Sequence, residues 1–357
     1  MGDTRPVRAG EEIDLARLNS FLALEVSKLP AVVAVEQFPG GFSNLTYLLR
    51  TRGGELVLRR APHGVAKGTA HDMAREYCIL GVLGAKGIPA PRPVVLCEDD
   101  SILGTPFFVM ERVRGLILRG TPREAPSAEA MRRLSESFVD VLVSIHEMDS
   151  GDPAVAALGK PGGYVARQVR GWGKRWEASR TSALPAMDRT AAWLDAHQPA
   201  DSAETLVHND FKYDNLVLDP ADPSRVVAVL DWEMATVGDP LLDVGTSLAY
   251  WVESADHPAF LSLGLGATSL AGNFTREELW TRYLQKSDRA LTDPTFYYAF
   301  GLFKVAVIAQ QIYFRFRQGL TADERFAGLG DVVMLLGCAA EDVIARRSLT
   351  PSRAGLS

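Results

Sequence analysis

The stretch LVHNDFKYDN (206–215), with the run VVAVL (226–230) leading into Asp231-Trp232-Glu233, decides how this chain is read. Asp210 and Asn215 lie five residues apart in a polar loop between short β-like runs, so a carboxylate and an amide can face the same space. Asp231 closes an apolar strand, where a side chain projects from the end of a sheet. Together the three supply one candidate base and two hard oxygen ligands. That donor set suits Mg2+, which keeps several waters and is usually completed by substrate phosphates. It does not suit zinc, because none of the six histidines stands in an HExxH pattern or beside a cysteine at ligand spacing. Each residue also has a plainer reading as an Asx turn or a strand-end cap.

Upstream of this stretch the first 112 residues are rich in strand signals. AVVAVEQF (31–38) precedes Gly40-Gly41, and NLTYLLRT (44–51) and ELVLRR (55–60) flank the turn Arg52-Gly53-Gly54. Two β-rich runs around a Gly-Gly turn predict an antiparallel hairpin. Residues 70–85 predict a helix, with Met73, Tyr77 and Leu80 spaced by four and three. VVLCE (94–98) and PFFVMERV (106–113) complete a five-stranded antiparallel sheet with one helix. After Gly115 the pattern turns helical, over about 127–148, 163–180 and 186–197, with a short β-like interval from Leu206 and helix again from Asp239. Thr275-Arg-Glu-Glu278 is a capping box. A small lobe at 1–112 and a larger one at 113–357 follow, matching the roughly two domains expected at about 150 residues each.

Composition narrows the function classes. Hydrophobic residues are 47% and charged residues 23%, which excludes a mainly disordered or collagenous chain. Asp and Glu outnumber Lys and Arg by 44 to 38, so general nucleic-acid binding is disfavoured. Three cysteines without a CxxC fit a reducing compartment better than a disulfide framework. MGDTRPVRAG carries no apolar run of a signal peptide, and the greasiest segment, Tyr297 to Phe316, holds Lys304, Gln310, Gln311 and Arg315. The expectation is a cytoplasmic protein with no membrane partner, that segment being a buried or half-buried helix.

HxDxxxxN followed by an apolar strand and Asp resembles the catalytic loop and metal-binding Asp of the protein-kinase-like superfamily. More narrowly, the chain is similar to the aminoglycoside phosphotransferase family. Within that family it is most similar to the phosphotransferase domains related to, and sometimes fused with, acyl-CoA dehydrogenases. The segments that carry the resemblance are GGFSNLTY, LVLRR, REYCIL, LVHNDFKYDN, LDWE and GDPLLDVG, in family order from about 40 to 245. The resemblance implies an α+β fold: a two-lobed protein-kinase-like architecture, with a small antiparallel β-sheet lobe plus one helix and a larger, mainly helical lobe.

It also implies roles. Asp210 would accept the proton of the substrate hydroxyl, and Lys212 would neutralise the transferred phosphoryl group. Asn215 and Asp231 would bind the Mg2+ that bridges the phosphates of ATP. Gly40, Gly41, Phe42, Ser43 and Asn44 would form the loop over those phosphates through backbone N–H groups. Arg59 would reach the phosphates and pair with Glu76. Met110, Glu111 and Val113 would form the hinge that carries adenine. Arg60 is the neighbour of Arg59, and strand alternation lets only one of the two point inward.

The chain departs from protein kinases in several ways. It has no GxGxxG and no Walker A, Asp231 is followed by Trp-Glu, and too few residues separate Asp231 from Gly238 for a regulated activation loop. The implied activity is therefore phosphorylation of a small-molecule hydroxyl. Around the loop, His208 reads as an orienting hydrogen-bond partner, Asp239 before Pro240 as a helix N-cap, Asp243 as a brace for the loop, and His146 as a core histidine.

On helix 164–180, Arg167, Arg170 and Lys174 share one face, and Trp172 and Trp176 another. A local excess of base argues against polycationic aminoglycosides and for an anionic acceptor, such as a hydroxyacyl-CoA or a related hydroxylated acid. The same branch implies association with an acyl-CoA dehydrogenase. Alternatives left open are an aminoglycoside, amino-alcohol or sugar kinase, and a nucleotide-binding pseudokinase that acts as a regulatory module.

Overall fold

The computed structural model describes residues 3–39, 44–62, 72–120, 122, 124–148, 150–160, 162–263, 267–321 and 323–350. The chain divides into two compact units, Met1–Gly115 with Val227–Met234 and Leu116–Val226 with Ala235–Ser357. The segment 227–234, which contains Asp231, thus returns to the first unit, something a single boundary at 112/113 does not capture.

The first unit is built on five strands: β1 (Val32–Gln37), β2 (Leu45–Thr51), β3 (Gly54–Arg60), β4 (Pro93–Cys97) and β5 (Phe107–Glu111). They form an antiparallel sheet in the order β1-β2-β3-β5-β4. The hairpin expected around Gly53-Gly54 is β2–β3, in register from Leu45↔Arg60 to Thr51↔Gly54.

Helix α2 (Met73–Ala85) starts at Asp72, whose carboxylate accepts the Arg75 N–H at 2.9 Å. It fills the role of the one expected helix. The structure adds α1 (Leu15–Glu25) and the short α3 (Asp100–Leu103). Leu18 and Leu22 of α1, one helical turn apart, join Tyr47, Leu49, Leu58, Phe107 and Val109 in one core cluster on the face of the sheet opposite α2. Burying this apolar face is what stabilises a helix of eleven residues that would be marginal alone.

The second unit is mainly helical: α4 (Ala128–His146), α5 (Pro153–Ala156), α6 (Tyr164–Ser179), α7 (Pro185–Ala196), α8 (Pro240–Ala249), α9 (Pro258–Ser262), α10 (Arg276–Lys286), α11 (Thr295–Arg317) and α12 (Leu329–Arg346). The short strands β6 (Thr205–Val207) and β9 (Thr236–Gly238) pair antiparallel and flank the loop at 208–215; β7 (Leu216–Leu218) follows that loop, and β8 (Val226–Val229) leads to Asp231.

The capping box at Thr275 and Glu278 forms as read, and Asp239 caps α8 by accepting from the N–H groups of Leu241 and Leu242. The greasy segment is α11, a helix buried along most of its length. No described helix is long and apolar enough to cross a membrane. Helices α8 and α11 cross at glycines: a Cβ on Gly301 would fall 2.1 Å from the Gly245 carbonyl oxygen.

Candidate active site

In the second unit the loop after β6 is held from below by Asp243 of α8. One carboxylate oxygen of Asp243 accepts the His208 N–H at 2.7 Å, and the other accepts the Asn209 N–H at 2.8 Å. His146 of α4 stands 3.1 Å from Asp243 through Nε2 and 2.8 Å from the Tyr283 hydroxyl through Nδ1, the pattern of a tautomer protonated on Nε2. Burial opposes charge on Asp243. The hydrogen bond from His146, with the electrostatic pull of the two neighbouring imidazoles and of the Lys304 ammonium, outweighs it and holds this carboxyl below its ordinary range. Asp243 is thus the brace the sequence suggested, and His146 is a core histidine. His208 orients the loop by accepting the Asp210 N–H at 3.2 Å on Nδ1.

Asp210 receives Lys212 Nζ on both carboxylate oxygens, at 2.9 and 2.8 Å. Asn215 closes the loop by donating through Nδ2 to the Asp210 carbonyl at 2.8 Å and to its carboxylate at 3.0 Å. With the amide nitrogen committed, the Asn215 oxygen is the atom suited to a hard cation. Lys212 also lies 4.4 Å from the centre of the Tyr250 ring. The lysine expected to meet a phosphoryl group is here paired with the carboxylate expected to act as the base.

Asn209, just before Asp210, has φ 67° and a buried side chain. Its carbonyl accepts Lys304 Nζ at 2.7 Å, and its side-chain oxygen accepts the Tyr164 hydroxyl at 2.9 Å. Sequence reading assigned no role here to Lys304, which registered only as a charge in a greasy segment.

In the first unit, Arg59 faces three carboxylates. Its guanidinium lies 2.8 Å from Glu76, 3.1 Å from Asp231 and 3.3 Å from Glu233. Asn44 donates to the same Glu233 oxygen at 2.8 Å. Burial disfavours charge on Arg59, but Glu76, Asp231 and Glu233 outweigh it and raise its affinity for the proton. Burial pushes the Glu76 carboxyl up to about 7, against the pull of Arg59 and with the repulsion of Asp231.

Arg60 points to the other face of the strand, toward the Tyr47 hydroxyl at 3.0 Å and the carbonyls of Leu103 and Glu11 at 3.1 and 2.9 Å. Alternation along β3 therefore assigns the Glu76 partner to Arg59. Asp231, like Asn209, has φ 67°, a conformation that Asp and Asn tolerate better than other non-glycine residues. Trp232 anchors the turn by donating its indole N–H to the Val229 carbonyl at 2.9 Å. Glu233, the last residue of the LDWE segment and given no role in the sequence, is a full member of this cluster.

Of the expected hinge, Met110 is buried on β5, while Glu111 pairs with Arg92 at 2.5 Å and donates its N–H to the Arg92 carbonyl. Val113 lies just beyond the strand, half-buried. Gly40, Gly41, Phe42 and Ser43 lie outside the described residues.

Two observations bear on a divalent ion. One guanidinium faces three carboxylates, leaving surplus negative charge in the Arg59 cluster. Glu76 Oε2 and Arg59 Nε are also buried there without a hydrogen-bond partner among the described residues. Among the described residues no group of three or more His, Cys, Asp or Glu could hold a metal ion. Mg2+ needs fewer protein ligands than that, because waters and phosphates complete its shell.

On the second unit a cavity of about 550 Å³ is lined by two cations, Arg170 and Lys174, two carboxylates, Glu177 and Asp195, and apolar residues that include Leu194 and Phe303. Trp172 and Trp176 are buried, as a core reading of that helix requires.

Residues 34–281 match the family model described as the phosphotransferase enzyme family, APH. A solved structure from Ralstonia eutropha, named as a candidate aminoglycoside phosphotransferase, shares 30% identity at a TM-score of 0.77, over 91% of this chain and 96% of that one. The GDP complex of wild-type aminoglycoside 2'-phosphotransferase-IIIa, at 14% identity and a TM-score of 0.62 over 90% and 98% of the two chains, shares the fold.

Among curated proteins, acyl-CoA dehydrogenase family member 10 of Mus musculus is 38% identical over 88% of this chain and 29% of its own length. Family member 11 of Rattus norvegicus is 34% identical over 90% and 42%. The chain therefore spans less than half the length of these relatives. Their names give no support for an association of this chain with an acyl-CoA dehydrogenase.

Proposed function

The chain belongs to the phosphotransferase enzyme family, whose acceptor is an alcohol group, and from that premise we propose that it moves the terminal phosphoryl group of ATP to the hydroxyl of a small anionic molecule. A hydroxyacyl-CoA or related hydroxylated acid is the acceptor class favoured. The observation that carries the reading is the Asp210 loop, where Asp243, His208 and Asn215 fix one carboxylate beside one lysine.

Asp210 serves as the proton acceptor for the attacking hydroxyl. Lys212, paired with that carboxylate, is near enough to exchange it for a phosphoryl oxygen when substrate arrives. Arg59, held by Glu76, contributes positive charge to the phosphates, together with the backbone of Gly40 to Asn44. The hinge Met110, Glu111 and Val113 carries the base. Asn215 and Asp231 are the proposed Mg2+ ligands, and the surplus carboxylates around Arg59 are what a divalent ion would offset. When bound, that ion supplies neutralisation of phosphate charge. In a loose phosphoryl-transfer transition state, positioning and charge screening by these side chains are the main protein contributions. The feature that favours an anionic acceptor over a polycationic one is the basic face of α6 at Arg167, Arg170 and Lys174.

The test is Asp210→Asn in an assay of ADP release with Mg2+, screened over hydroxyacyl-CoAs, amino alcohols, sugars and aminoglycosides. Turnover should fall roughly 10²–10⁴-fold while nucleotide affinity is kept. Unchanged turnover would remove Asp210 from the role. Nucleotide binding without transfer to any acceptor would favour a regulatory module instead.

A further inference from the structure

Lys304 is buried on α11, a helix whose neighbouring positions are almost all apolar. Placing an ammonium in such a setting costs several kcal/mol unless it is well paired. Its pairing is specific. Nζ donates to the Asn209 carbonyl at 2.7 Å and lies 3.3 Å from the Asn209 side-chain oxygen, which also receives Tyr164. The Trp172 ring centre is 5.7 Å away. Among the described residues no carboxylate touches the ammonium directly, and its shortest hydrogen bond is to the backbone carbonyl of Asn209. That residue is in the left-handed region and immediately precedes Asp210.

We propose that Lys304 is a positioning residue for the catalytic loop: by gripping the Asn209 carbonyl from beneath, it holds the left-handed peptide that presents the Asp210 carboxylate to its substrate. The proposal rests on the reading of Asp210 as the base. Asp243 fixes the N–H side of the same turn, and Lys304 fixes the carbonyl side, so the turn is clamped at both ends. A neutral amine grips a carbonyl more weakly than an ammonium does.

The groups facing Lys304 are Asp243 from α8, Asp210 and Lys212 from the loop, and Arg175 and Tyr164 from α6. Burial lowers its proton affinity to about 8, with Lys212 and Arg175 adding to the effect and Asp243 and Asp210 opposing it. The charged form therefore prevails below about pH 8 and is lost above it. Loop order, and any turnover that depends on it, should decline on the same limb.

Two measurements on the full chain test this. In the first, ATP hydrolysis to water with Mg2+ is followed for wild type, Lys304→Met, Lys304→Arg and Asp210→Asn across pH 6–10. Lys304→Met should lower kcat on the order of 10²-fold with the KM for ATP little changed, the cost of a misplaced reacting group. The wild-type rate should fall above about pH 8, and Lys304→Arg, charged throughout, should lose that limb. In the second, NMR of lysine-labelled and amide-labelled chain follows the Lys304 ammonium and the Asn209 and Asp210 amides through the same pH range. The amides should move with the midpoint of the ammonium, and the step should vanish in Lys304→Met. If Lys304→Met does not fold, the Lys304→Arg profile and the wild-type titration carry the test. Loop amides that ignore the Lys304 titration would overturn the proposal. A wild-type chain without turnover, whose amides still follow Lys304, would count against Asp210 as a base and not against the clamp.

Discussion

At the residue scale, Glu76 offers a pH signature that separates a buried ion-pair cluster from a surface one. Its carboxyl titrates near 7 in the folded chain against an ordinary value of 4.5. Below about pH 4.5 it is protonated in both states and has no effect. Between about 4.5 and 7 the folded chain holds a proton that the unfolded chain has released, so stability falls as pH rises through that window, and above it the loss is complete. The size is on the order of 3 kcal/mol. In urea titrations with EDTA present, wild type should lose roughly that much relative to Glu76→Gln between pH 4.5 and 8. A difference that stays flat with pH would mean the carboxyl is not held in this way.

The pairing of Arg59 with Glu76 and the closeness of Asp210 to Asn215 follow from residues at fixed offsets inside short motifs. The partners of Glu233 and Lys304 do not. Glu233 meets Asn44 across 189 residues of chain and Lys304 meets Asn209 across 95, and neither has a local pattern that announces its partner. The one signal for Lys304 was a charge in an apolar helix, which shows that a partner must exist without saying which.

At the scale of elements, the strand hairpin, α2 and the long helices of the second unit follow from periodicity and turn chemistry. Helix α1 lies outside those expectations although Asp14 caps it by accepting the Arg17 N–H at 3.0 Å and Leu18 and Leu22 repeat at helical spacing. The strand-rich surroundings outweighed a weakly amphipathic run of eleven residues.

The crossing of α8 and α11 was also silent in sequence, because a glycine in a helix reads equally well as a weak point or as a contact. The structure separates the two. At Gly301 a methyl group would meet the Gly245 carbonyl at 2.1 Å, whereas at Gly81 of α2 nothing lies within 4 Å. Gly301→Ala should destabilise by about 1–3 kcal/mol through forced separation of the helices. Gly81→Ala should be neutral or stabilise by up to about 1 kcal/mol through helix propensity alone. Equilibrium denaturation of the two variants decides the matter. Equal effects would mean that α8 and α11 do not approach at these glycines.

At the scale of the whole molecule, ligand binding should follow the charges close to the ligand more than the formal charge of the chain. The chain carries a net charge of -6. At long range this repels anions weakly, and within a Debye length of about 8 Å at physiological salt nearby side chains dominate. Arg170 and Lys174 share their cavity with Glu177 and Asp195, and Arg59 stands amid three carboxylates, so both places mix the two signs of charge. Ligands that bind only the folded chain raise its stability by mass action, by about 2.7 kcal/mol at a hundred times Kd. Thermal unfolding with ATP and Mg2+ should therefore shift upward, and chelation by EDTA should remove most of the shift, because the surplus carboxylates around Arg59 then repel the phosphates. Asp231→Asn should lose the part of the shift that depends on Mg2+. Adding a hydroxyacyl-CoA should raise the transition further and adding a polycationic aminoglycoside should not, while Arg170→Glu with Lys174→Glu should abolish the acyl-CoA increment and leave the nucleotide shift intact. An increment from the aminoglycoside alone would reverse the sign assigned to the acceptor, and a nucleotide shift indifferent to both EDTA and Asp231→Asn would dissociate the metal from this site.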